Sequence, residues 1–155
     1  MTDTSTRPQD LLLQYVEGLA KDFYAERADH ERIARAITII QSGKMSILED
    51  GSALVGSQSN PAQVYTVNGS CGCHDYRRAH GGRCKHRFAV SMFKRLQIYY
   101  NSSYYAEKDD GTSGIAFEDR GKLIFIDWEG AVQTVAMHDV ILAGYAPLVR
   151  SVYGI

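Results

Sequence analysis

Three cysteines are all the chain contains, and they fall with a histidine inside one short window, CGCHDYRRAHGGRCKH, from Cys71 to His86. As spacing it is C-x-C, ten residues, then C-x-H. Two tight ligand pairs separated by a loop are what a tetrahedral ion of the Zn2+ type requires, and Cys71, Cys73, Cys84 and His86 make one complete Cys3His set with no cysteine left over. Four protein ligands leave no position for a reacting water, so the chemistry expected of such a Zn2+ is structural and not catalytic. Gly81 and Gly82 let the chain fold back before Cys84. Two other readings of the thiols stay open: a C-x-C redox dithiol, and iron–sulfur ligation. His74 and His80 lie inside the loop and compete with His86, which is preferred for its closeness to Cys84. His30 and His138 are remote and read as surface or capping residues.

The elements that must hold this window follow from periodicity. A helix is expected from about Pro8 to Ala25, with Leu12, Tyr15, Val16, Leu19 and Phe23 on one face. A second is expected to be capped by Asp29, to bury Ile33, Ala36, Ile37 and Ile40, and to stop at Gly43. The period then shortens to that of strands over Lys44–Glu49, Ala53–Gln58 and Gln63–Val67, with Asp50-Gly51 as a hairpin turn and Asn60-Pro61 as the next. The cysteine window leaves the third strand, and Cys84 to about Tyr100 reads as a helix.

Residues 101–114 read as a linker or exposed loop. Strands follow over Ile115–Glu118, Lys122–Trp128 and Ala131–Met137, paired as a meander. The segment Asp139–Ile155 carries no assignable pattern. The expected fold class is α+β: an N-terminal helical pair, a small antiparallel sheet with a ββ(β)α zinc unit, and a β-rich C-terminal piece. The corresponding divisions are 1–43, 44–100 and 101–155.

The order of hairpin, C-x-C-x(n)-C-x-H and helix resembles the SWIM-type zinc finger over roughly residues 44–97. The resemblance rests on Val64-Tyr65-Thr66-Val67 entering the cluster, on Cys73-His74-Asp75-Tyr76, and on Gly82-Arg83-Cys84-Lys85-His86 followed by Ala89-Val90. Many members carry proline where His74 stands. The resemblance implies nucleic-acid binding or protein–protein contact. Asp75 is the candidate to orient His86 through its second ring nitrogen, or to bind loop amides; a plain turn-forming Asp is the competing reading.

Charge points the same way locally. The whole chain is nearly neutral, at −1. Between Cys71 and Arg95, however, Arg77, Arg78, Arg83, Lys85, Arg87, Lys94 and Arg95 face only Asp75. Such a patch suits phosphates of DNA or another nucleic acid, with Tyr76, Tyr99 and Tyr100 near enough in sequence to stack on bases. The same cations would also balance the formal charge of about −1 on a Cys3His zinc centre. Tyr99, Tyr100, Tyr104 and Tyr105 are candidates for a protein interface, or for a packed core.

Other classes are disfavoured. Gly43-Lys44-Met45 is not a phosphate-binding loop, and no nucleophile elbow, paired-histidine metalloprotease motif or dinucleotide fingerprint occurs. The acids Asp109, Asp110, Glu118, Asp119, Asp127 and Glu129 are the only candidate for divalent-cation catalysis. The expectation is therefore a binding protein and not an enzyme, with no small-molecule substrate evident. The absence of a signal-peptide pattern or membrane span, together with the thiol spacing, favours a reduced, cytoplasmic setting.

Overall fold

A computed structural model of the chain describes residues 6–145. It is α+β. Two helices, α1 (Pro8–Phe23) and α2 (Arg27–Ser42), precede a three-stranded antiparallel sheet of β1 (Met45–Ile47), β2 (Ala53–Gly56) and β3 (Val64–Val67). Two short 3-10 turns, His74–Arg77 and His80–Gly82, lead into α3 (Lys85–Asn101). A five-stranded antiparallel sheet follows: β4 (Tyr104–Lys108), β5 (Ser113–Asp119), β6 (Lys122–Asp127), β7 (Val132–Val135) and β8 (Val140–Tyr145). Among the described residues the contacts divide the chain within its helices: Val16–Arg95 forms one unit, and residues 6–15 together with 96–145 form the other.

In the Val16–Arg95 unit, the stripe of α2 is buried at Ile33, Ala36, Ile39 and Ile40. Asp29 does not cap this helix; the N-cap is Glu26, and Asp29 is buried within the first turn. The side chain of His30 finishes α1 instead, donating from Nε2 toward the carbonyls of Lys21 and Tyr24 at 3.0 and 2.6 Å, which the helix end would otherwise leave unpaired. The three strands pair as Met45↔Val55 and Val55↔Tyr65, with Met45, Ala53, Val55 and Val67 buried. Alternation leaves Leu54 and Val64 exposed.

The second unit departs most from what periodicity suggested. Residues 101–114 are not a linker: β4 lies there, paired on both sides by β5 and β8, and β5 begins at Ser113. Segment 139–155 supplies β8 before passing outside the described residues. The strand order is β7-β6-β5-β4-β8, so β7 and β8 stand at opposite edges. Four residues connect them, three in a 3-10 turn at Met137–Asp139. That connection reaches about 13 Å, whereas the edges of a flat five-stranded sheet are about 19 Å apart. The sheet must therefore curl into an open barrel. Lys108 on β4 confirms the curl by reaching Gln133 on β7 at 3.2 Å, with two strands between them. Inside the curl lie Ala106, Ala116, Phe125 and Val140. The other face takes Tyr15 and Tyr99, both edge-on or tilted against Phe117 with ring centroids 5.0 Å away. Tyr99 and Tyr100 are thus core residues, and Tyr104 and Tyr105 are half-buried.

Candidate metal centre

The turn after β3 delivers Cys71 and Cys73, and the residue before α3 delivers Cys84, with His86 in the first turn of that helix. All four are buried, and one ligand atom from each lies within 4.8 Å of the others. The three thiols are free, with no disulfide. His86 turns Nδ1 to the group, 3.7 Å from Cys71 Sγ. That separation matches the edge of a tetrahedron with metal bonds of about 2.0 to 2.3 Å. Nε2 of His86 is buried without a hydrogen-bond partner among the described residues, and the Tyr65 ring lies 4.7 Å from the imidazole. The donor set, its burial and its convergence fit one metal ion, with Nδ1 as the ligating nitrogen. His74 and His80 are exposed and stand outside the group.

The thiols are not equivalent. Cys84 is drawn down to about 4 by the hydrogen bond from Cys71, with help from His86 and the backbone N–H of Arg87. Cys84 immediately precedes α3, where helix amides favour a thiolate. Cys71 is pushed up by its hydrogen bond to Cys84 and by burial, and Cys73 by burial first. A single negative charge is what three crowded, buried sulfurs hold by themselves. A cation placed among them permits the remaining two deprotonations.

The basic residues divide into two groups. Arg83 donates to Asp29 at 3.3 and 2.9 Å, and its guanidinium lies 5.1 Å from the centroid of the Tyr24 ring. Arg87 donates to the carbonyls of Gly81 and Gly82 and lies near the Tyr76 ring. Lys94 donates to the carbonyl of Gly51. These three brace the loop, α2 and the β1–β2 turn. Arg77 and Arg78, on and after the first 3-10 turn, are exposed, and their side chains make no hydrogen bond or ion pair among the described residues. Lys85 is half-buried, and its charge helps hold the Asp75 carboxyl low. Arg95 is exposed on α3.

Asp75 takes a partner that the window did not contain. The spacing suggested His86 or loop amides; its carboxylate instead receives Arg32 of α2 at 2.8 and 3.1 Å. That bidentate pair holds the Asp75 carboxyl below the usual carboxylate range. Asp29–Arg83 and Arg32–Asp75 together tie α2 to both halves of the metal loop. Neither Asp29 nor Arg32 carries a linear signal, since their partners lie 54 and 43 residues away.

The acids of the C-terminal half do not assemble into a cation site. Asp110 and Asp127 accept backbone N–H groups of their own turns, and Asp119 is buried against two tyrosines. No described helix is long and apolar enough to cross a membrane. No family model, curated protein or solved structure matches the chain.

Proposed function

We propose that the Val16–Arg95 unit is a SWIM-like module built on one structural Zn2+, and that it binds nucleic acid, most simply DNA, through cations beside the metal loop. The observation that carries the reading is the convergence of four buried donors, Cys71, Cys73, Cys84 and His86, with no further ligand position supplied by the cluster. Three thiolates and one imidazole favour Zn2+ over harder ions. Arg77 and Arg78 supply exposed side-chain charge next to that centre, and Lys85 and Arg95 are further cations of α3. In this unit Lys and Arg outnumber Asp and Glu by twelve to eight. Arg83, Arg87 and Lys94 are assigned to holding the loop and not to the ligand. The role is binding and not catalysis, in a reduced compartment where the thiols stay free.

A protein partner is the second reading, favoured by the exposed apolar pair Leu54 and Val64 on the outer face of the β1–β3 sheet. The deciding experiment combines elemental analysis of wild type and Cys84→Ser with DNA titrations of the same samples at low and high salt. One zinc per chain, and binding that weakens steeply with salt, supports the proposal. Arg77→Gln/Arg78→Gln should keep the zinc and lower the salt slope by about 2. Zinc without DNA binding at any salt transfers the assignment to a protein partner. Absence of zinc removes the proposal altogether.

A further inference from the structure

The second unit holds a cavity of about 310 Å³ on the face of the barrel against which Tyr15 packs. Tyr15, Asp119, Arg120, Lys122, Ile124 and Thr134 line it. The β5–β6 hairpin builds its rim. Asp119 and Lys122 are the last paired residues of the two strands, and Arg120-Gly121 is the two-residue turn between them. Both turn residues have positive φ, 50° and 76°, so the chain accepts a left-handed non-glycine residue here. That turn places a guanidinium beside the cavity. Thr134 enters from β7, opposite Ile124 in the register.

The charges around the cavity are unequally committed. Asp119 is buried and accepts hydrogen bonds from Tyr15 Oη and Tyr99 Oη, each at 2.7 Å, and from Arg120 Nη2 at 3.2 Å. These donors hold its carboxyl below the usual range in spite of burial. It is therefore an anchoring charge whose acceptor capacity is already engaged. Arg120 spends one hydrogen bond on it and stays mostly exposed. Lys122 and the Thr134 hydroxyl are exposed and have no side-chain partner among the described residues. Two cations thus face one carboxylate, leaving an excess of positive charge and unused donors above an apolar wall, Ile124. A pocket of this size with a few convergent polar groups is the usual form of a small-ligand site.

We propose that this cavity binds a small organic anion. Its carboxylate or phosphate-monoester head is received by Arg120 and Lys122, with the Thr134 hydroxyl alongside, and its compact apolar body seats against Ile124. Tyr15 and Tyr99 act by fixing Asp119, which in turn orients Arg120.

The test is a 15N–1H NMR titration of the full chain at constant ionic strength with phenyl phosphate, benzoate and inorganic phosphate. Saturable shifts confined to the amides of the β5–β6 turn and β7 are expected with at least one organic probe. Phenyl phosphate ahead of benzoate identifies a phosphate monoester as the ligand class, and the reverse order a carboxylate. Lys122→Gln and Arg120→Gly should each weaken binding about tenfold or more. Both variants should fold, because the Lys122 side chain has no partner among the described residues and Arg120 already has a glycine-like φ. Silence from all three probes overturns the proposal, as do shifts unchanged in both variants. An equal response to inorganic phosphate overturns the organic body.

Discussion

Asp119 shows how much one side chain can be made to carry. It is a buried carboxylate at the end of β5 whose partners come from α1, α3 and the adjacent turn. Removing its charge while keeping its shape, in Asp119→Asn, should cost about 2 kcal/mol at neutral pH, because hydrogen bonds to a buried ion are among the strong ones. Its folded pKa is lowered, so its contribution is complete above the unfolded carboxylate value of about 3.9 and fades as pH falls through the folded value. The difference between wild type and Asp119→Asn in urea unfolding should therefore shrink below about pH 4. Taking that difference cancels acid release of metal, which is common to both. Tyr15, its partner, is pushed up to about 12, chiefly by burial and then by its bond to Asp119. In a spectrophotometric titration, Tyr15→Phe should lose a phenol that ionises well above the ordinary tyrosine value of about 10.

At the scale of elements, two glycines separate backbone strain from lack of space. Gly82 closes the metal loop with φ +71, and a Cβ there would stand 2.5 Å from the Tyr76 ring. Gly69 also has positive φ, +93, but open space around it. Gly82→Ala should therefore weaken metal retention against a chelator clearly more than Gly69→Ala, although both pay the left-handed penalty of about 1 kcal/mol. A comparable effect in the two variants would mean that backbone strain alone matters. In the barrel, Gly114 pairs with Asp127, and a Cβ would meet the Ile126 carbonyl oxygen at 2.0 Å. Gly114→Ala should cost about 3 kcal/mol, read as a lowered melting temperature, because backbone cannot yield as a side-chain tip can. The hairpins and α2 were legible from local pattern, since turn chemistry and apolar period lie within a few residues. β4 was not: Ser, Asp, Gly and Lys around Tyr104-Tyr105 look like a loop, and only pairing on both sides, with β5 and β8, makes that stretch a strand.

For the molecule as a whole, the two units differ in what their interiors contain. The barrel has its own apolar interior, Ala106, Ala116, Phe125 and Val140. The Val16–Arg95 unit has one too, with Ile33, Ile39, Ile40 and Val55, and beside it packs three free thiols and an imidazole into its buried interior. Without a cation, that cluster is a set of buried polar groups with a shared charge. Removal of metal by a strong chelator should therefore abolish slow amide exchange in the loop and the first turns of α3, while β4–β6 keep theirs. Hydrogen exchange followed by mass spectrometry reads this directly. Uniform loss across both units would mean that the metal holds the entire chain.

The candidate donor set, Cys71, Cys73, Cys84 and His86, was readable from the sequence alone. Two pairs of donors, each with one residue between them and a glycine-rich loop joining the pairs, can converge from local geometry. The α+β class followed equally from the change of apolar period after Gly43. What only the tertiary structure decided is what the charges do. Whether Arg83 faces solvent or the buried carboxylate of Asp29, whether Asp75 serves a histidine or Arg32, and whether Asp119 is a loop acid or the anchor of two tyrosines all depend on partners 20 to 104 residues away. An ionic side chain carries no local record of its partner, because Coulomb attraction and hydrogen bonding are set by distance in space and by burial.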